Sequence, residues 1–398
     1  MMTVPKESAR RYLVARQGLH RNRGWEGVLK AIESLEYVQV DPVRVVDTSH
    51  NLTLRNRVND YRPELLAELL YTRRGAFEYW CSQRCILPMR DFPYFHYRML
   101  HPDDFHSPFI ESLKAMRVKF RANLEYVLSE IRKDGPLSAS DLGRRGLISE
   151  KDAKRAMLML WDSGEIMAHN VQGHGRIYDL TERLLPPSIN MGNAVSLEEV
   201  RRFMLTKYFR SAGLGDTRDA CRFGFWSMPA KERKMVSDEL AHEGLVEEVR
   251  VEGVNATFYV PSDELQLLEG SIAVDDDVLL LAPLDNLLSN RRVISEIFGF
   301  DYVWEIYKIP SERRYGCYVM PLLHRDRFIG RLDPKMEREK GHMLINALYL
   351  ERDTLGDIPV AGIARALDQF RLYHGASAIT VSATDPAPLI DALRHVPI

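Results

Sequence analysis

Cysteine is scarce. The four present, Cys81, Cys85, Cys221 and Cys317, are too few and too scattered in 398 residues for a disulfide framework, and are expected to be reduced. Cys81 and Cys85 lie near His96 and His101, but a structural zinc site needs tight ligand pairs at both ends, so no metal and no cofactor is expected. Long apolar runs are also lacking, and the start MMTVPKESARRY has no apolar core of the kind a signal peptide carries. A cytoplasmic protein with no membrane partner is the expectation. Nor does either charge dominate: 54 Lys and Arg against 56 Asp and Glu leave a net charge of −2, which excludes a uniformly basic coat for nucleic acid.

What is present is apolar content, 45% of the chain, enough for the cores of two to four units. The charge is segregated along the sequence. Residues 201–234 hold nine Lys and Arg against three acids, and residues 236–277 hold twelve Asp and Glu against Arg250 alone. A basic face with an acidic back would orient the molecule on a polyanion; two solvated surfaces are the plainer alternative.

An internal echo organises the middle of the chain. Leu160, Gly164, Gly173 and Tyr178 are matched eighty residues later by Leu240, Gly244, Gly253 and Phe258. Each set reads as helix end, glycine stop, strand, glycine turn and strand. Upstream, 136–142 and 216–220 read as the short second helix of a helix-turn-helix, followed by longer helices at 149–161 and 229–242. Residues 118–182 and 196–262 are therefore predicted winged helices, and the amino-terminal region a third, degenerate one. Lys151, Lys154 and Arg155 on the first recognition helix, and Lys231, Arg233 and Lys234 on the second, are candidates for phosphate contact, with a solvated helix face as the rival.

After an acidic linker at 261–277, strands are predicted at 278–282, 302–309, 315–323, 327–332 and 343–350, with a helix at 358–373. An antiparallel barrel or curled sheet fits, with Arg313 and Arg314 in a loop that could touch a DNA backbone. The predicted class is α+β: tandem winged-helix units and a carboxy-terminal antiparallel β-barrel-like domain. The expected divisions are 1–117, 118–195, 196–277 and 278–398. The aromatic and histidine-rich run from Phe92 through His106 to Phe109 reads as a packed connector.

The chemistry-bearing stretch is Leu35-Glu36-Tyr37-Val38-Gln39-Val40-Asp41-Pro42-Val43-Arg44-Val45-Val46. Period-two alternation puts Gln39 and Asp41 on one face of an extended segment and Val38 and Val40 on the other. Pro42 pushes Asp41 out of helical geometry and suits the first position of a helix. Such a helix would place Val43, Val46, His50, Leu54 and Arg57 on one inward face. Read alone, Asp41 is better explained as a cap for that helix, with Gln39 satisfying a strand edge, than by a catalytic role.

The triplet Gln39-Val40-Asp41 is followed by Ser49-His50-Asn51, Asp60-Tyr61-Arg62-Pro63, Phe77-Glu78-Tyr79-Trp80 and Leu87-Pro88-Met89-Arg90. This ordered series resembles the winged-helix DNA glycosylases of the AlkZ/YcaQ type, with the Gln-apolar-Asp triplet of the YcaQ-like branch. Leu281-Ala-Pro-Leu-Asp-Asn-Leu-Leu288 with Arg291-Arg292, and Ile329-Gly-Arg-Leu-Asp-Pro-Lys335, extend the resemblance. It implies excision of alkylated purines, cross-linked bases included, from double-stranded DNA. Cleaving an N-glycosidic bond passes through an oxocarbenium-like sugar, which a carboxylate at Asp41 would stabilise while accepting a proton from water held by Gln39. A base already cationic departs without a proton donor; for neutral bases His50 is the one candidate. A monomer is expected. The rival reading is a non-enzymatic winged-helix DNA-binding regulator, which accounts for all but the 39–41 triplet.

Overall fold

The computed structural model describes residues 2–19, 22–105, 108–173, 175–189, 195–222, 228–270, 275–352 and 359–394. His106 and Ile358 lie outside the described residues, as do the side chains of Phe109 and Cys221.

One layout is used three times. The first unit runs through helix Gly24–Leu35, strand Val38–Gln39, helices Ser49–Arg55 and Pro63–Ala67, and the hairpin Ala76–Trp80/Arg84–Pro88. The second runs through helix Arg121–Asp134, strand Leu137–Ser138, helices Ala139–Arg144 and Glu150–Asp162, and the hairpin Ile166–Gln172/Gly175–Leu180. The third has helix Leu197–Ala212, a single bridge from Gly215 to Tyr259, a 3-10 turn Asp219–Arg222 where a short helix is expected, helix Ala230–His242, and the hairpin Val246–Val251/Thr257–Pro261. In all three the short leading strand or bridge pairs antiparallel with the second strand of the hairpin. This is the element order expected of a winged helix. Met2–Val4 adds to the third hairpin as a parallel strand.

The glycine echo has a conformational cause. Gly164 (φ 75°) and Gly244 (φ 71°) take the left-handed turn two residues before each hairpin begins, where a side chain is disfavoured. In the first unit the same position is Arg74, at φ 55°. Its guanidinium donates to the carbonyls of Ala168 (2.8 Å) and His169 (3.1 Å), which docks the second hairpin on the first unit.

The carboxy-terminal sheet is antiparallel through Val278–Leu280, Met320–His324, Arg327–Glu337 and His342–Leu350. It curls without closing into a barrel, since among the described residues its edge strands Val278–Leu280 and Ala378–Val381 do not pair with each other; the last two strands, Ala378–Val381 and Thr384–Asp385, run parallel to His342–Leu350. Helix Val360–Tyr373 packs across its face. The strand expected at 302–309 is a loop wound around the carboxylate of Glu305, which accepts the backbone N–H groups of Arg314, Tyr315 and Gly316.

A strap between sheet and hairpin units positions the site. Asn286 donates to the Tyr37 carbonyl (2.8 Å), Asn56 donates to the Leu280 carbonyl (2.9 Å), and the Leu284 N–H donates to Ser49 Oγ (3.3 Å). Beneath them Arg57 and Asp285 form two 2.8 Å bonds with neither side chain exposed. The 281–288 block and the neighbouring Leu280 thus hold the 37–57 stretch in place.

Candidate active site

Strand Val38–Gln39 pairs with the second hairpin strand, which is central in the three-stranded sheet, Val38 opposite Ile86 and Gln39 opposite Cys85, and the Val40 N–H closes the ladder on the Arg84 carbonyl (2.8 Å). Val38 and Ile86 face the core beneath the first unit's helices. Gln39 points the other way, half-buried, into a cavity of about 170 Å³ that Tyr37, Ser82, Asp219, Asn290 and Arg291 also line. Its amide makes no hydrogen bond to any described residue. Asp41, half-buried just past the strand, is not among the residues that line this cavity.

No helix opens at Pro42. Residues 40–48 are irregular and helix begins only at Ser49. The cause is tertiary: Val43, Val45 and Val46 pack into the carboxy-terminal core. Arg338 donates to the Val46 carbonyl (2.8 Å) and Tyr318 to that of Asp47 (3.0 Å), while Asp47 Oδ2 accepts the Tyr373 hydroxyl (3.2 Å). β-branched residues lose little by forgoing helix. Asp41 Oδ1 accepts the Val43 N–H (2.8 Å) in a local turn, so Asp41 is not a helix cap. Its other oxygen accepts nothing from the described residues, and no Arg or Lys among them pairs with it.

His50 sits on the following helix with Nε2 3.1 Å from Thr48 Oγ1 and Nδ1 buried without a partner. Burial lowers its pKa to about 4, against the opposing pull of Glu78 and Asp47. The ring is therefore neutral near pH 7 and is no reserve of acid. Glu78 cannot donate either. Burial alone would raise its pKa, but Arg84 (2.7 Å) and Arg176 (2.8 Å) more than reverse this and hold it ionised. Ser49 and Asn51 are structural: Asn51 bridges Asp47 (3.0 Å) and the Tyr61 hydroxyl (2.7 Å), which ties the 60–63 block to the 49–51 block.

The chain's family can be tested independently of this geometry. The sequence model of the AlkZ-like DNA glycosylases matches residues 32–372. The chain belongs to that family. A solved structure, the DNA glycosylase AlkZ of Streptomyces sahachiroi, superposes with a TM-score of 0.67 at 14% identity, covering 96% of this chain and 99% of that one. At that identity the likeness is one of fold. Membership makes DNA the substrate and base excision the role. Among the described residues no helix is long and apolar enough to cross a membrane.

The expected DNA contacts differ in availability. Lys151 and Lys231 are exposed with no ion-pair partner among the described residues. Lys154 pairs with Glu150, Arg155 with Asp152 and Lys234 with Asp238. Arg233 donates to the carbonyls of Thr217 and Met228, and Arg313 to that of Lys308, so both brace loops. Arg314 is exposed above the Tyr315 ring.

One group escaped the sequence reading. Lys207 is buried, donating to the Glu36 carbonyl (2.6 Å), the Glu36 carboxylate (2.9 Å) and Asp91 (2.6 Å). Burial alone would lower its pKa; Asp91 and Glu36 more than compensate, so it stays charged. It fixes Glu36, whose φ of 67° launches the stretch that carries Gln39 and Asp41. The signal was there: a lysine in the stripe Val200, Met204, Lys207, Ser211 at helical spacing on the buried face.

Proposed function

We propose that the protein is a monofunctional DNA glycosylase of the Gln-apolar-Asp branch, hydrolysing the N-glycosidic bond of purines made cationic by alkylation at N7. Interstrand cross-links through N7 belong to the same chemical class. The observation that carries this is the pair of uncommitted groups at one strand end, the Gln39 amide and one oxygen of Asp41, which no described residue satisfies.

Asp41 stabilises the oxocarbenium-like sugar and accepts a proton from the attacking water, which the Gln39 amide holds. A cationic purine leaves as a neutral base. That chemistry suits a site in which His50 is neutral and Glu78 ionised. Water rather than a lysine is the nucleophile: Lys207, beside the catalytic stretch, has its ammonium bound by Glu36 and Asp91. Lys151 and Lys231, with the looser-paired Lys154, Arg155, Lys234 and Arg314, supply sequence-independent phosphate contacts on duplex DNA.

Asp41→Asn decides the reading. Asn keeps the turn to Val43 but loses the charge, so base release from N7-methylated duplex DNA, scored as alkali-labile sites, should fall by about 100-fold or more with duplex affinity nearly unchanged. Full activity in this variant retires the catalytic assignment.

A further inference from the structure

Arg291 and Arg292 are neighbours in sequence and opposites in environment. Arg292 is committed: its Nη2 lies 2.8 Å from Asp216 and 3.0 Å from Asp219, and Nη1 reaches Glu296 at 3.2 Å. Arg291 has no carboxylate partner among the described residues. One of its nitrogens, Nη1, is buried with no hydrogen-bond partner, and Nη2 makes only a long contact to the Pro283 carbonyl, 3.5 Å. Its guanidinium lies over the Tyr302 ring, 4.3 Å from the centroid, which fixes its position and leaves the fork's edge unbonded. Burial lowers its pKa, and nothing but Tyr302 opposes that.

The cavity in which this occurs is the one Gln39 lines. The carboxylates in its wall are already answered. Asp285 is bound by Arg57, and Asp219 by Arg292 and the Asn290 amide (3.1 Å). Arg291 is therefore the one lining charge without a counter-charge among the described residues. A half-buried guanidinium with one nitrogen fully buried, lacking both a counter-ion and its full hydrogen bonds, is unfavourable unless a ligand completes it. The shape of its fork suits a tetrahedral oxyanion.

We propose that Arg291 binds a backbone phosphate of the DNA strand that carries the damaged nucleotide, in the cavity beside Gln39. This rests on the glycosylase reading above for the presence of DNA at Gln39. The arrangement separates charges: a carboxylate, Asp41, for the cationic sugar and base, and a guanidinium, Arg291, for the anionic linkage next to them. A cationic base is repelled from the Arg291 side, so the phosphate sets the register of the strand against Asp41. Arg291 is a substrate-positioning residue.

The test uses the full chain and binding alone. Affinity for a duplex holding a stable abasic-site analogue is measured against KCl concentration for the native protein, Arg291→Gln and Arg291→Lys. Arg291→Gln should bind about tenfold more weakly and lower the salt slope by about 0.9, and Arg291→Lys should recover the slope. Duplexes with one neutral methylphosphonate at each position flanking the analogue then locate the contact. At one position the native protein loses about tenfold and Arg291→Gln loses nothing further. An unchanged slope in Arg291→Gln, or equal additional losses for both proteins at every position, overturns the proposal. If Arg291→Gln fails to fold, the salt slope of Arg291→Lys and the native methylphosphonate scan still decide: no sensitive position overturns it. Thermal stabilisation of the native protein by inorganic phosphate, with no sensitive linkage in DNA, would mark a site for a free anion and also overturn it. None of these measurements requires base release. An active Asp41→Asn would therefore sink the catalytic reading and leave the phosphate contact to be judged separately.

Discussion

The first and second units differ at one equivalent strand. Val38–Gln39 and Leu137–Ser138 each have two residues, apolar then polar, and each pairs with the second strand of its hairpin. In the second unit the polar groups close on themselves: Ser138 Oγ accepts the Asp141 N–H (3.2 Å) and Asp141 accepts the Ser138 N–H (2.8 Å), a capping box that starts the next helix at once. In the first unit Pro42 and three valines delay the helix to Ser49, and Gln39 and Asp41 are left with bonding capacity. What stabilises a helix in one copy is left unbonded in the other, and on the proposed reading that capacity serves the substrate, so that function is a local departure from a shared scaffold.

The departure leaves the first unit dependent on outside support, and removing that support should have the largest effect. Asp285→Ala strands Arg57, fully buried, without its carboxylate, at a cost of about 3–5 kcal/mol in urea unfolding. Hydrogen exchange should show protection lost across residues 38–57 while the second unit's helices stay protected. Pairing Asp285→Leu with Arg57→Met should restore much of the stability, since an apolar pair replaces a buried ion pair at little cost. Equal loss of protection in both units would erase the distinction drawn between them.

Acid should loosen the same region next. His50 and His374 flank the 41–48 loop, and burial lowers both to about 4. An unfolded histidine titrates near ~6.5, so between that value and 4 the unfolded chain binds more protons than the folded one. The stability is complete above pH ~6.5 and falls as pH drops toward 4, by at most about 1.4 kcal/mol per pH unit for each ring. Urea midpoints between pH 7 and 5 measure it, and His50→Leu should flatten the slope. A variant with the native slope would show that His50 is not held neutral.

How much of this could be read from the sequence follows from which residues carry backbone necessity. Gly164 and Gly244 were legible because a left-handed turn selects glycine, so the second and third units announced themselves as an echo. The first unit did not, since Arg74 holds that turn by bonding to the second hairpin, a contact no local pattern encodes. Gln39 and Asp41 were singled out by period-two alternation together with the family resemblance, and the ladder bears out the alternation as far as Val40. The helix expected from Pro42 failed because the partners that keep 41–48 irregular, Tyr318, Arg338 and Tyr373, are hundreds of residues away. The carboxy-terminal sheet was legible as a curled, antiparallel-rich one, but alternation identifies strands and not that the last two run parallel.

The smallest effects sharpen the comparison most, because they concern the same strand position. Ser138→Ala removes the Oγ that accepts the Asp141 N–H and keeps the backbone bond to Asp141, so it should cost about 1 kcal/mol and leave base release unchanged. Gln39→Ala removes an amide with no partner among the described residues, so stability should stay within about 0.5 kcal/mol. Base release should nonetheless slow, by about tenfold and less than in Asp41→Asn, because Asp41 can still draw a proton from a water held imperfectly. The two variants should thus cross, one losing stability with full activity and the other losing activity with full stability. Should Gln39→Ala destabilise the fold as much as Ser138→Ala does, then the amide is committed to structure after all. The first strand would then be a second capping position rather than a site.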